Sequence, residues 1–204
     1  DQITGTKNNT VDLTLNGTVS HQGVLAGVDN VVLKSQSGTE VNTRGWTGTK
    51  TITVNSPTNI TLHDLQSSKT QIDIVDANDA SKTVAINYDG SKAGFDNTAR
   101  VSVSETYATV KFGITNAANA KLDTIKLTIK DTGANGDSTL TDLIGHQTST
   151  LEIDGGRVGG KFTIKNALDA SLTKIDAKAA ISNLDLNVSE TGRKPLDVKL
   201  GSGN

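Results

Sequence analysis

With 204 residues the chain is long enough to bury a core of its own, as one elongated domain or two small ones. A hydrophobic share of 34% with only 3% aromatic residues leaves Val, Ile, Leu and Ala to build that core, and the abundant Thr, Asn, Ser, Asp and Gly favour strands and polar turns over helix. A net charge of −2 with scattered lysines excludes the basic stripe of a nucleic-acid binder, zero Cys excludes disulfides and thiolate metal sites, and no apolar run is long enough for membrane insertion.

Residues 1–20, DQITGTKNNTVDLTLNGTVS, open on turn formers and then alternate Val11, Leu13 and Leu15, the period of a strand. Apolar pairs follow as rungs: Val31/Leu33, Val41/Thr43, Ile52/Val54, Leu62/Asp64, Ile72/Ile74 and Val84/Ile86. A step of about ten to eleven residues is a strand of about five and a turn of about five, one side of a flattened coil of roughly twenty to twenty-two residues. The rungs predict an all-β chain, a stack of short strands in a parallel β-solenoid; an antiparallel β-sandwich is the alternative, since it too shows short strands at regular spacing. Two-residue hairpin turns between matched strands are scarce, with Asn16-Gly17 and Asp89-Gly90 the nearest cases, which favours the solenoid.

Residues 87–100, NYDGSKAGFDNTAR, interrupt the ladder with a polar loop and suggest a subdomain boundary. Longer alternating strands follow at Val101/Val103, Val110/Phe112/Ile114 and Ile125/Leu127/Ile129, then a turn at 131–139 and, at 140–147 (LTDLIGHQ), a short helical turn. A second ladder occupies 149–188, with Leu151/Ile153, Phe162/Ile164, Thr173/Ile175 and Leu184/Leu186 at a constant step of eleven, and Leu196/Val198/Leu200 form a last strand. The organisation expected is a first ladder at 1–90, an irregular β middle at 91–147 and a second ladder at 148–204. Starting at Asp1 without a leader-like stretch and stopping at Asn204, the chain reads as a piece of a longer protein.

Few side chains converge on chemistry. The best oxygen-donor cluster for a hard cation such as Ca²⁺ is Asp131, Asn135 and Asp137 on a Gly-containing turn, and Asp76, Asn78 and Asp79 form a second; each also reads as an ordinary Asx turn. His21, His63 and His146 share no metal spacing. Gly155-Gly156-Arg157-Val158-Gly159-Gly160 has the glycines of a phosphate cradle but no helix after it, so turn residues are expected. Trp46, the only Trp, is either a sugar-stacking platform or a core plug. Nothing supports a catalytic triad, and paired carboxylates on a polysaccharide-acting β-helix are the one enzymatic rival.

Two stretches carry a resemblance. Gly27-Val28-Asp29-Asn30-Val31-Val32-Leu33, followed by Gly45-Trp46-Thr47-Gly48-Thr49-Lys50-Thr51-Ile52-Thr53-Val54, resembles a run found in RTX-type surface-layer proteins and related large type I-secreted adhesins of Gram-negative bacteria. LEIDGG, KFTIKNA, LTKIDAKA and ISNLDLNV at 151–188 resemble the ladder of the same proteins, and Leu200-Gly201-Ser202-Gly203-Asn204 the threshold of their calcium nonapeptides, of which the chain holds no complete copy. The resemblance implies a secreted, extracellular structural protein of the cell surface, without enzymatic activity, that folds with Ca²⁺ after export and assembles with itself into a lattice. An adhesin that grips an outer-membrane polysaccharide or a host ligand, through 87–100 or around Trp46, is the second expectation.

Overall fold

The computed structural model describes residues 2–6, 8–16, 20–56, 58–130, 137–190 and 195–201, and among these there are strands and turns but no helix. The strands run β1 (Gln2–Thr4), β2 (Thr10–Leu15), β3 (Ser20–Gln22), β4 (Val24–Ala26), β5 (Asn30–Ser35), β6 (Thr39–Asn42) and β7 (Trp46–Thr47). They continue through β8 (Thr51–Asn55), β9 (Ile60–Leu65), β10 (Gln71–Val75), β11 (Thr83–Asp89), β12 (Thr98–Ser104), β13 (Tyr107–Thr115) and β14 (Thr124–Ile129). The last six are β15 (Ser138–Ile144), β16 (Thr150–Gly155), β17 (Lys161–Ile164), β18 (Lys174–Ala180), β19 (Asn183–Leu186) and β20 (Asp197–Leu200).

Every third strand joins the same sheet up to β9, and every second strand from there on. A nine-stranded sheet is ordered β2-β5-β8-β10-β12-β14-β16-β18-β20 and an eight-stranded sheet β3-β6-β9-β11-β13-β15-β17-β19. All neighbours pair in parallel, so the chain winds as a β-solenoid whose successive coils supply one another's backbone hydrogen bonds. A third sheet, β1-β4-β7, gives the first three coils a third side. Its strands have two or three residues and carry no alternation long enough to be read from sequence.

Because the coils pair in register, equivalent side chains stack in columns. Leu13, Leu33, Val54, Ile74, Val103 and Ile129 form one inward column, and Val41, Leu62, Ile86 and Phe112 face it from the other sheet. From Leu33 and Val41 onward these side chains are buried. Alternation along each strand sends Thr, Lys, Asp and Glu outward, where neighbouring coils place opposite charges side by side: Lys34 and Asp12 at 3.1 Å, Lys126 and Glu152 at 2.9 Å. β-Branched residues suit such positions, since both faces of a pleated strand tolerate a stiff side chain.

The corners are where Asn and Asp matter. Asp76, Asn97 and Asn116 all have left-handed backbone there, with φ of 55 to 59°, a conformation short polar side chains tolerate best. Small residues line the inside of one corner, with Ser35, Ser56, Ala77, Thr106 and Ser138 all buried; Ser56 Oγ donates to Ser35 O at 3.2 Å and Thr106 Oγ1 to Ile74 O at 3.2 Å.

Three sequence readings are corrected. Residues 140–147 do not form a helical turn, because 138–144 is strand β15; Leu140 and Leu143 are both buried although three apart, and the register shift opposite Ala108 and Thr109 accommodates the extra residue. The helical spacing is a β-bulge. The same device alters the rung Leu62/Asp64, whose inward partner is Leu65, with Asp64 as the irregular residue. In β18 the inward pair is Ile175 and Ala177 rather than Thr173 and Ile175, since Ile175 lies on Leu151.

Coil length also varies. Thr10, Asn30, Thr51 and Gln71 stack at twenty or twenty-one residues, as the spacing predicts, but Ile72 stacks on Val101 twenty-nine residues later. The extra length is the polar segment 90–97, and it is tied down. Phe95 packs against buried Tyr88 with ring centroids 5.8 Å apart, Ser67 bridges Gly94, and Asp96 accepts from Ser68 Oγ at 2.5 Å and Arg100 Nη2 at 3.0 Å. Burial works against the Asp96 carboxylate, but the Arg100 and Ser68 hydrogen bonds and the Arg100 charge outweigh it and hold its pKa below the ordinary 3.8.

Two outcomes are expected. Ile74→Ala opens a void in the middle of a column and lowers unfolding free energy by about 2–5 kcal/mol in urea titrations, whereas Thr53→Ala on the outer face stays within about 0.5 kcal/mol. A carboxyl with depressed native pKa stabilises fully above its unfolded value, and this contribution is lost as pH falls through the native one. Acid titration monitored by circular dichroism therefore shows a smaller loss of stability below pH 3.8 in Asp96→Asn than in the parent, with the parent more stable at neutral pH.

Candidate functional site

The corner lined by small residues also assembles a polar cleft. Asn78 lies between β10 and β11, Glu105 and Thr106 between β12 and β13, Tyr107 begins β13, Asp137 precedes β15 and Thr139 lies within it. Pairing between coils stacks these segments: Tyr107 N donates to Ala77 O at 2.7 Å, Thr139 N to Thr106 O at 2.8 Å, and Tyr107 is in register with Thr139. With Lys165, which follows β17, they line a cleft of about 540 Å³. Sequence reasoning missed this site because its residues are about thirty positions apart from one coil to the next and acquire a common address only once the coils are stacked.

The groups in the cleft differ in how committed they are. Asp137 accepts from Lys161 N at 2.8 Å and lies 3.8 Å from Arg157 Nη2. Lys165 Nζ donates to the Tyr107 phenol oxygen and lies 4.5 Å from the ring centroid. An ammonium that meets both conditions is near the rim of the ring, so it does not cover the face. The side chains of Asn78 and Glu105 are exposed and have no hydrogen-bond or ion-pair partner among the described residues. Glu105 holds φ at 48°, a left-handed conformation that a long side chain does not favour, of order 1–2 kcal/mol above the right-handed one.

The cation candidates are thereby rearranged. Asp131 and Asn135 lie outside the described residues. Asp137 and Asn78, drawn from two separate clusters, share the cleft. Asp76 and Asp79 do not join them: Asp76 sits at a left-handed corner where Asn55 Nδ2 reaches it at 3.5 Å, and Asp79 closes an Asx turn by accepting from Ser81 N at 2.9 Å and Ser81 Oγ at 2.7 Å. The backbone hydrogen bond from Ser81, then its hydroxyl, hold the Asp79 carboxyl below the ordinary range despite a small opposing burial effect. For Ca²⁺ the cleft has oxygen donors of the right kind in Asn78, Glu105 and Asp137, but fewer than the six to eight oxygens Ca²⁺ takes, and the Lys165 ammonium lines the same space. The described residues do not by themselves complete a calcium cage.

The remaining candidates resolve by position. Trp46 is 7% exposed and belongs to the core, so its ring is not a platform; its Nε1 lacks a partner and it lines a cavity of about 260 Å³ with Thr49, Gln66 and Thr70. The 87–100 segment is spent on the Asp96–Arg100 anchor. Gly155 ends β16 at φ 76°, where a Cβ would stand 2.4 Å from Ile129 O, so the glycine run is a corner pressed against the coil beneath. His21 lies in β3, His63 in β9 and His146 after β15, on different coils, with His63 Nε2 3.7 Å from Glu40. Among the described residues no three His, Cys, Asp or Glu side chains gather as a metal site.

Compared with family models, with curated proteins and with solved structures, the chain matches none.

Proposed function

We propose that this chain is a structural segment of a secreted, self-assembling bacterial surface-layer protein, a scaffold rather than a catalyst. The observation that carries the reading is the uninterrupted parallel stack: one pair of sheets continues through every coil from β2 and β3 to β19 and β20. A core of aliphatic columns closed by inter-coil hydrogen bonds resists bending and stretching alike, and leaves flat polar sides for lateral contact. The terminal strands β2, β19 and β20 each have a sheet neighbour on one side only, and Val198 and Leu200 extend inward columns while 45% and 66% exposed. Such edges can continue a stack into another element. The resemblance of 27–33, 45–54 and 151–188 to RTX-type surface-layer proteins supports the extracellular setting and an assembly step that needs Ca²⁺.

Electron microscopy and light scattering of the purified chain and of its longer parent, with Ca²⁺ and with a chelator, test this reading. Ordered sheets or fibres are expected in Ca²⁺ and their dispersal in chelator. Leu200→Lys in β20, which places a charge on the open end of a column, is expected to reduce assembly while leaving the circular dichroism of the strands unchanged. Monomers of both proteins in every condition would refute the proposal.

A further inference from the structure

We propose that the Tyr107 cleft is a binding site for an extended, uncharged oligosaccharide chain, lying along the solenoid axis with successive sugar units over successive coils. Three features of the cleft carry this. The first is direction: Asn78, Glu105 with Tyr107, Asp137 with Thr139, and Lys165 come from four consecutive coils, so the polar groups recur at the inter-strand spacing of about 4.8 Å and span about 14 Å. That row offers one set of hydrogen-bonding groups per coil, which suits a ligand with its own short linear repeat.

The second is chemistry. Asn78 brings an amide that both donates and accepts, Glu105 and Asp137 bring carboxylates that accept from paired hydroxyls, and Thr139 brings a hydroxyl. Tyr107 adds a half-buried aromatic ring whose face the Lys165 ammonium leaves uncovered, a surface for the C–H side of a pyranose. The third is availability. Asn78 and Glu105 have polar groups unspent within the fold, and Glu105 occupies a strained backbone position at the rim.

Charge sets the class of sugar. Among the described lining residues two carboxylates stand against one ammonium, and the nearby Arg157 is engaged with Asp137 at 3.8 Å, so the lining favours neutral hexoses and N-acetylhexosamines over uronates, sialylated chains and phosphorylated glycans. The site is separate from the buried Trp46 and from the terminal strands invoked for assembly.

Isothermal titration calorimetry of the full chain against uncharged hexasaccharides (a β-1,4-glucan, a β-1,4-N-acetylglucosamine chain and an α-1,6-mannan), with oligogalacturonate as the acidic counterpart, tests the proposal. At least one uncharged chain is expected to bind, more tightly as the chain lengthens from two to six units, and oligogalacturonate to bind at least tenfold more weakly. Glu105→Gln and Asn78→Ala, both at exposed positions and outside every strand, are each expected to weaken binding about tenfold with unchanged circular dichroism and unchanged assembly. Tyr107→Ala, checked for folding in the same way, is expected to abolish it. The proposal is overturned if none of the three uncharged chains binds at millimolar concentration, if oligogalacturonate binds as well as they do, or if binding survives the Glu105→Gln, Asn78→Ala pair together. Because assembly is read independently, loss of sugar binding and loss of lattice formation are distinguishable failures.

Discussion

The structure depends on one constraint: parallel hydrogen bonding between coils that keeps each residue directly over its counterpart. Every strand in the two large sheets makes its ladder to a segment about one coil away in sequence, so backbone groups are satisfied along the solenoid axis rather than within a local turn. Once register is imposed, side chains have no freedom to choose neighbours. Leu33 must meet Val54 and Leu62 must meet Ile86, and a core of mainly aliphatic layers follows, in which Trp46, Tyr88, Phe112 and Phe162 are the buried aromatics.

That constraint also explains which parts could be read in advance. Period-two alternation at Val31/Leu33, Ile52/Val54 and Ile72/Ile74 reports inward columns directly, and its return after about half a coil identifies the two-sided stack. Reading fails where a bulge shifts phase. At Leu140 and Leu143 one additional residue converts strand alternation into the spacing of a helix, and at Asp64 it hides Leu65 as the true inward partner. The short third sheet fails for another reason: two or three residues contain no period.

The candidate site was less legible than the fold. Its members were visible as residue types, since Asp137 and Asn78 both stand out as oxygen donors, but their meeting depends on coils of about thirty residues at that corner, as the hydrogen bonds of Tyr107 to Ala77 and of Thr139 to Thr106 record. Glu105 carried no local signal at all, being a single acid between a strand and a buried Thr. Trp46 drew attention as the only Trp, and its burial shows that rarity alone marks a packing requirement as readily as a recognition surface.

Segment 90–97 lengthens one coil without displacing the column on either side of it, since Ile72 still lies on Val101 and Ile74 on Val103. The scaffold therefore separates two kinds of sequence change. Additions at a corner are absorbed outside the ladder, whereas an addition within a strand has to be taken up as a β-bulge that shifts the register, as at Leu140 and Leu143. Overall length is then a quantised property, altered most cheaply by gaining or losing a whole coil, and surface variety can accumulate at corners while the rod keeps its pitch.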